Sequence, residues 1–169
     1  LGLSLDNDTL AVGVPYEDSN QTSITNGTTA SSNNSNDTAG AVYVYRRTGT
    51  SWAQEAYIKS VYNDAYDYFG YSVSLHNDTL AVGAMGDNSS GSVFVYKLAD
   101  NNTWSQEAYI NAVNKSGGAR FGFSVSLDNN TLSVGAIEED SAQTTITNGT
   151  TASSNTDYEN SGAVYVYKR

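Results

Sequence analysis

The sequence predicts an all-β protein built from tandem four-stranded antiparallel blades, about three of them and incomplete at both ends. Three observations carry that prediction. Short apolar-alternating runs rich in Val, Leu, Tyr and Phe are cut by tight turn signals, the period-2 mark of half-buried strands. One such block, FGYSVSLHNDTLAVGAMGDNSSGSVFVY at 69–96, returns as LGLSLDNDTLAVG…GAVYVY over 1–45 and as FGFSVSLDNNTLSVGA…GAVYVY over 121–167. Fifteen Gly and 13 Tyr, against one Pro and no Cys, suit short strands joined by many tight turns.

The first unit covers 1–68. Residues 1–5 match the end of a first strand and 9–13 form a second. Between them Asp6-Asn7-Asp8 is a hairpin turn, because Asn and Asp tolerate positive φ and bond their own backbone. Residues 14–40, rich in Ser, Thr and Asn, show no periodicity and read as a loop or insert. A third strand follows at 41–45, a turn at 46–51, and a fourth strand, WAQEAYI, at 52–58, with 59–68 linking onward.

The second unit, 69–120, has strands at 72–75, 80–84 and 92–96, a short MGDNSSG loop, and the fourth strand WSQEAYI at 104–110. The third, 121–169, regains a long insert at 137–162 and stops after its third strand. Within that insert TTITNGTTASSN at 144–155 nearly repeats TSITNGTTASSN at 22–33. Tyr45 and Tyr96 lie 51 residues apart and Tyr96 and Tyr167 lie 71 apart, so a long unit plus a short one makes a period of 122. Four strands in a unit of about this length is the signature of a propeller blade. With a first strand lacking its start and a last unit lacking its fourth strand, the array is expected to present edges that further blades complete.

At this point the residues resemble a known family. FG-x-S-V-S-L, then D-T-L-A-V-G-A, then G-A-V-Y-V-Y are similar to the FG-GAP repeat of integrin α-subunit-like β-propellers, and most of all to its microbial surface-protein variety. The resemblance implies four-stranded blades, with the Trp-x-Q-E-A-Y-I strand completing each, and an extracellular, cell-surface setting. It also implies roles in adhesion or surface assembly. Integrin-type blades often carry a calcium loop, D-x-D-x-D-G, between the first two strands. Here that position holds only Asp6-Asn7-Asp8, His76-Asn77-Asp78 and Asp128-Asn129-Asn130, too short to wrap an ion that wants six to eight oxygens. A closed propeller has 4–8 blades, so this chain is expected to meet further blades of a longer chain or further copies of itself.

Composition narrows the function classes. A formal net charge of −10 with only 8 Lys plus Arg argues against nucleic acid and anionic membrane. No apolar run approaches a membrane span, no leader pattern is present, and zero Cys excludes a disulfide scaffold and thiol chemistry. The strongest local signal is Asn-x-Ser/Thr, the N-glycan acceptor, which occurs at Asn7, Asn20, Asn26, Asn33, Asn36, Asn77, Asn88, Asn101, Asn114, Asn129 and Asn148. Asn7, Asn77 and Asn129 are equivalent, each in the first hairpin turn of its unit. The competing reading is that Asn and Thr are simply good turn residues.

Acidic residues recur after the second strand at Asp18, Asp87 and Asp140, with Glu17, Glu138 and Glu139 beside two of them. They read either as solvated Asx turns or as weak candidates for a divalent cation such as calcium. His76, the only His, falls in a hairpin turn where the other units have Asp, so no triad or zinc site can be built on it. Trp52 and Trp104, with Tyr57 and Tyr109, recur in the fourth strand and read as blade packing, or else as sugar-stacking aromatics. No unique carboxylate pair or phosphate loop points to catalysis, and no cofactor is expected beyond covalent N-glycans. The functional expectation is a non-enzymatic, glycosylated building block of a surface assembly or fibre. The alternative is an adhesion module binding a surface protein or glycan through its long inserts.

Overall fold

The computed structural model describes residues 2–114 and 117–168. Strands β1 (Leu3–Asp6), β2 (Thr9–Val14), β3 (Thr25–Asn26), β4 (Ala41–Thr48) and β5 (Ser51–Ile58) form one sheet in the order β1-β2-β4-β5-β3. Strands β6 (Phe69–His76), β7 (Thr79–Ala84), β8 (Ser92–Leu98) and β9 (Trp104–Asn111) form a second, in chain order. A third joins β10 (Phe121–Asp128), β11 (Thr131–Ala136) and β12 (Ala163–Lys168). Every pairing within these sheets is antiparallel. Up-and-down sheets of four strands, set one behind the next, are blades of the propeller type.

Local chemistry explains the shape of each blade. The first hairpin of every unit turns on an Asn with positive φ: Asn7 at 51°, Asn77 at 51° and Asn129 at 49°. The β6–β7 register shifts between Phe69 and Ser72, and β10–β11 shifts between Phe121 and Ser124. Each bulge contains the Gly of the Phe-Gly pair, with φ of 86° at Gly70 and 88° at Gly122, a backbone state that only Gly adopts without strain. A second shift falls in the Gln-Glu-Ala step of each fourth strand, between Val44 and Tyr45 and between Val95 and Tyr96 of the facing strands.

The structure widens two elements read from the sequence. The turn expected at 46–51 is tighter, because β4 continues to Thr48 and β5 begins at Ser51. The insert at 14–40 is not wholly irregular. Its Thr25 and Asn26 pair with Tyr57 and Ala56 on the outer edge of β5. The near-identical segment at 144–155 forms no strand, since among the described residues the third unit has no fourth strand to receive it. Ile24 packs on the core while its counterpart Ile146 is 91% exposed.

Strand alternation here separates two interfaces instead of core and solvent. The second-strand sequence is almost the same in all units, yet β2 buries Thr9, Ala11 and Gly13 while β11 buries the opposite set, Leu132, Val134 and Ala136. The middle strand β7 buries all six residues. Half-burial therefore holds only for the outer units; the middle blade is covered on both faces. One cluster packs Val42, Val44 and Ile58 of the first blade against Phe69, Val73, Leu75, Phe94 and Tyr96 of the second. The next packs Val93 and Val95 against Phe121, Leu132 and Val134. Each blade thus offers large rings and Leu backward and small Val, Ala, Ser and Gly forward, so the faces interdigitate.

Candidate functional site

The features most able to carry function are the two uncovered blade faces and the acidic rim of the inserts. The internal interfaces define what a covered face needs. Gly13 lies against Gly70, and Gly83 against Gly122; a Cβ on Gly13 or Gly83 would sit 1.9 and 2.0 Å from the next blade's glycine oxygen. Ser4 Oγ accepts from Leu75 N and Ser74 Oγ accepts from Leu127 N, both at 2.9 Å. Ser72 Oγ donates to Gly122 O at 2.7 Å. Phe69 N donates to Ala39 O and Phe121 N to Ser90 O, at 3.0 and 2.8 Å.

The ends of the stack repeat these positions without a cover. Backward, Leu3 and Leu5 are 68% and 62% exposed, where Val73 and Leu75 of the second blade are 8% and 6% exposed. Forward, Val164 and Val166 are 72% and 61% exposed, where Val42 and Val44 are fully buried. Gly135 stands free of any backbone from a following blade; its nearest neighbour atom is its own unit's Ser124 Oγ. A fourth-strand latch shows the same contrast. Trp104, 2% exposed, donates from Nε1 to Glu55 Oε1 at 2.8 Å across the blade boundary. Its counterpart Trp52 is 43% exposed, with the Arg47 guanidinium over its ring.

At the insert rim the structure corrects the register of the acidic positions. Gly40 N bonds Glu17 O, Gly91 N bonds Asp87 O, and Gly162 N bonds Glu139 O, each at 2.8 Å. Asp87 is therefore the equivalent of Glu17 and Glu139, four residues after the second-strand Gly in every unit, and not of Asp18 and Asp140. Counting from that Gly is the signal that identifies them in sequence. Each carboxylate has a different partner. Glu17 pairs with the fully buried Lys59 at 2.8 Å, Asp87 accepts from Tyr109 OH at 2.6 Å, and Glu139 accepts from Asn114 Nδ2 at 2.5 Å.

Asp18 and Asp140 close the necks of the inserts. Their Oδ1 atoms accept from Thr38 N and Asn160 N at 2.8 Å, two residues with positive φ. Each weak cation candidate thus has a hydrogen-bonding partner, and no group of three or more acidic or His side chains among the described residues is placed to hold a metal ion. Burial pulls the Lys59 ammonium below its usual range, opposed by Glu17. The buried Asp67 carboxyl is pushed up to about 7, first by burial and then by Asp87 and Asp64. His76 lies on the surface, with Nε2 3.2 Å from Asn129 Oδ1 across the boundary to the third blade.

The sequons divide by geometry. Asn7, Asn20, Asn26, Asn33, Asn77, Asn88, Asn101, Asn129 and Asn148 are exposed, and Asn36 and Asn114 are half-buried. Asn33 and Asn101 form Asx turns in which the hydroxyl of Ser35 or Thr103 donates to their Oδ1. Asn26, Asn36, Asn88, Asn114 and Asn129, exposed or half-buried, use Nδ2 as a donor, to Trp104 O, Asn63 O, Tyr109 OH, Glu139 and Asp128 respectively. Asn26 also accepts from Trp104 N at 2.7 Å, so its side chain pairs with the next blade's fourth strand as a backbone would.

Stacked antiparallel blades joined by close glycine contacts define a β-propeller-type repeat protein. A family model described as FG-GAP repeat matches residues 52–96 and 104–167, and the chain belongs to that family, whose repeats make integrin-like propeller modules. No curated protein matches it. The matched repeats are framed differently from the sheets. Each begins on a Trp strand that closes one blade and ends on the third strand of the next, so every repeat staples two blades together. No helix among the described residues is long and apolar enough to cross a membrane.

Proposed function

We propose that the chain is a non-enzymatic structural building block of an extracellular surface assembly or fibre, N-glycosylated on its loops and extended by blades of its own kind. One observation carries this reading. The positions that bury the internal blade interfaces recur, exposed, at both ends of the stack: Leu3 and Leu5 backward, Val164 and Val166 forward. The two faces are complementary in size, Leu against Val, and the bonding groups Ser126 and Gly135 stand at the forward face in the same positions as Ser74 and Gly83. Of the strand or blade complementation expected from the sequence, these faces support the blade form. A head-to-tail contact of this kind that does not close makes a filament.

The exposed sequons lie on turns and inserts, where glycans leave the faces clear and shield the rest of the surface. The near-identity of the two inserts suits a repeated structural part better than a pair of recognition loops. Electron microscopy and intact mass of the natural protein test this reading together. Fibres are expected, together with an intact mass that falls when N-glycans are removed enzymatically. Discrete rings about 50 Å across, the size of a closed propeller of a few small blades, would favour the adhesion-module alternative. A mass unchanged by that treatment would remove the glycans.

A further inference from the structure

A cavity opens at the rim where the first two units meet. It has a volume of about 560 Å³ and opens between the insert of the first unit, the segment that links the first two blades, and the short loop of the second. Its presence follows from the alternation of long and short units. In the linker before the third unit Asn114 reaches Glu139 directly, also donates to Ser153 O of the long insert at 3.0 Å, and accepts from Tyr165 OH at 2.6 Å. The position equivalent to Asn114 in the preceding linker, four residues after the last Ile of the fourth strand, is Tyr62. Tyr62 makes no such bridge. Its ring leans on Tyr109 at 4.8 Å and on Phe94 at 6.4 Å, and the second unit has no long insert to cover it.

The lining has a consistent chemistry. Tyr62, 52% exposed, gives an aromatic face. Asp64 and Asp87 give carboxylates, and Thr22 a hydroxyl. Asp87 is 1% exposed and already accepts from Tyr109 OH at 2.6 Å and Asn88 Nδ2 at 3.4 Å, so it forms the floor of the cavity. Asn63 is 8% exposed, and its Nδ2 donates to Ser19 O at 2.9 Å, which ties the linker wall of the cavity to the first insert. The site thus combines one stacking ring with the exposed Asp64 carboxylate and Thr22 hydroxyl, in a volume suited to one or two sugar rings.

We propose that this cavity binds a neutral pyranose sugar, its C–H face on Tyr62 and its hydroxyls bonding to the Asp64 carboxylate and the Thr22 hydroxyl. Blade association is not needed for it, so either idea can fail alone. An amide NMR titration of the full chain with the methyl glycosides of glucose, galactose, mannose and N-acetylglucosamine tests the proposal, with choline as a cationic probe. Saturable shifts confined to 61–64 and 87–90 are expected for at least one glycoside. The affinity should be of order millimolar, as for a single hexose at ordinary ligand efficiency. Tyr62→Ala, at a half-exposed position, should weaken that binding about tenfold, the scale of one lost aromatic contact, and leave the rest of the spectrum unchanged. The proposal fails if no glycoside gives saturable shifts, if the shifts persist undiminished in Tyr62→Ala, or if choline binds at these amides more tightly than every glycoside.

Discussion

Gly83 shows what a single missing side chain does here. A Cβ at this position would lie 2.0 Å from Gly122 O and 2.4 Å from Ser72 Oγ. Backbone cannot yield as a flexible side chain would, so Gly83→Ala must push two blades apart. The expected loss is about 3 kcal/mol, roughly 6–12 °C in Tm for a domain of this size, measured by thermal unfolding. Asp67 gives a second prediction, on pH. Its ordinary value is 3.8 and its folded value about 7, raised by burial and by Asp87 and Asp64 against the opposing pull of Lys59. The folded state therefore binds more protons than the unfolded state between those limits, and stability from this group falls as pH rises through that window. Asp67→Asn keeps an oxygen for the Asp64 N–H that Asp67 Oδ2 accepts at 2.8 Å. Its Tm relative to the parent should climb by several degrees from pH 4 to pH 7; a constant difference would show that the carboxyl is not the source.

The Trp strands test the account at the scale of elements. Trp104 is sealed between blades and bonded to Glu55, whereas Trp52 in the same repeat position is 43% exposed. Trp104→Ala should cost about 3–5 kcal/mol as a buried aromatic, and Trp52→Ala less than about 1 kcal/mol as a surface change. Equal losses in chemical denaturation would mean that burial between blades is not what distinguishes them. The same contrast marks the limit of the sequence. The all-β class and antiparallel hairpins were legible, because period-2 runs and Asn turns are local signals repeated three times. Which face each strand buries was not, since Leu132 and Ala11 belong to one motif yet lie on opposite covered faces. Identical insert sequences also diverge, Ile24 packed and Ile146 bare, because only the first unit supplies a fourth-strand edge. The acidic rim was legible in composition but one residue out of register at Asp87, where the short loop hides the count from Gly83. The cavity at Tyr62 had no local signal at all, being made by three separate segments.

At the scale of the molecule, three blades share two interfaces, and two further faces of the same make are left bare. The internal interfaces join a backward face of rings, Leu and Val to a forward face of Val, Ala, Ser and Gly. The bare ends are one of each kind, so a stack of such chains has a defined polarity and order. Sedimentation velocity of the full chain, alone and as the Val164→Asp, Val166→Asp double variant, tests this most directly. Every head-to-tail contact uses one forward face, so the variant should stay at the 18.0 kDa monomer while the parent grows with concentration into larger species. A parent that remains monomeric at high concentration, or a variant that associates as well as the parent, would contradict the assignment of these faces as blade-binding surfaces.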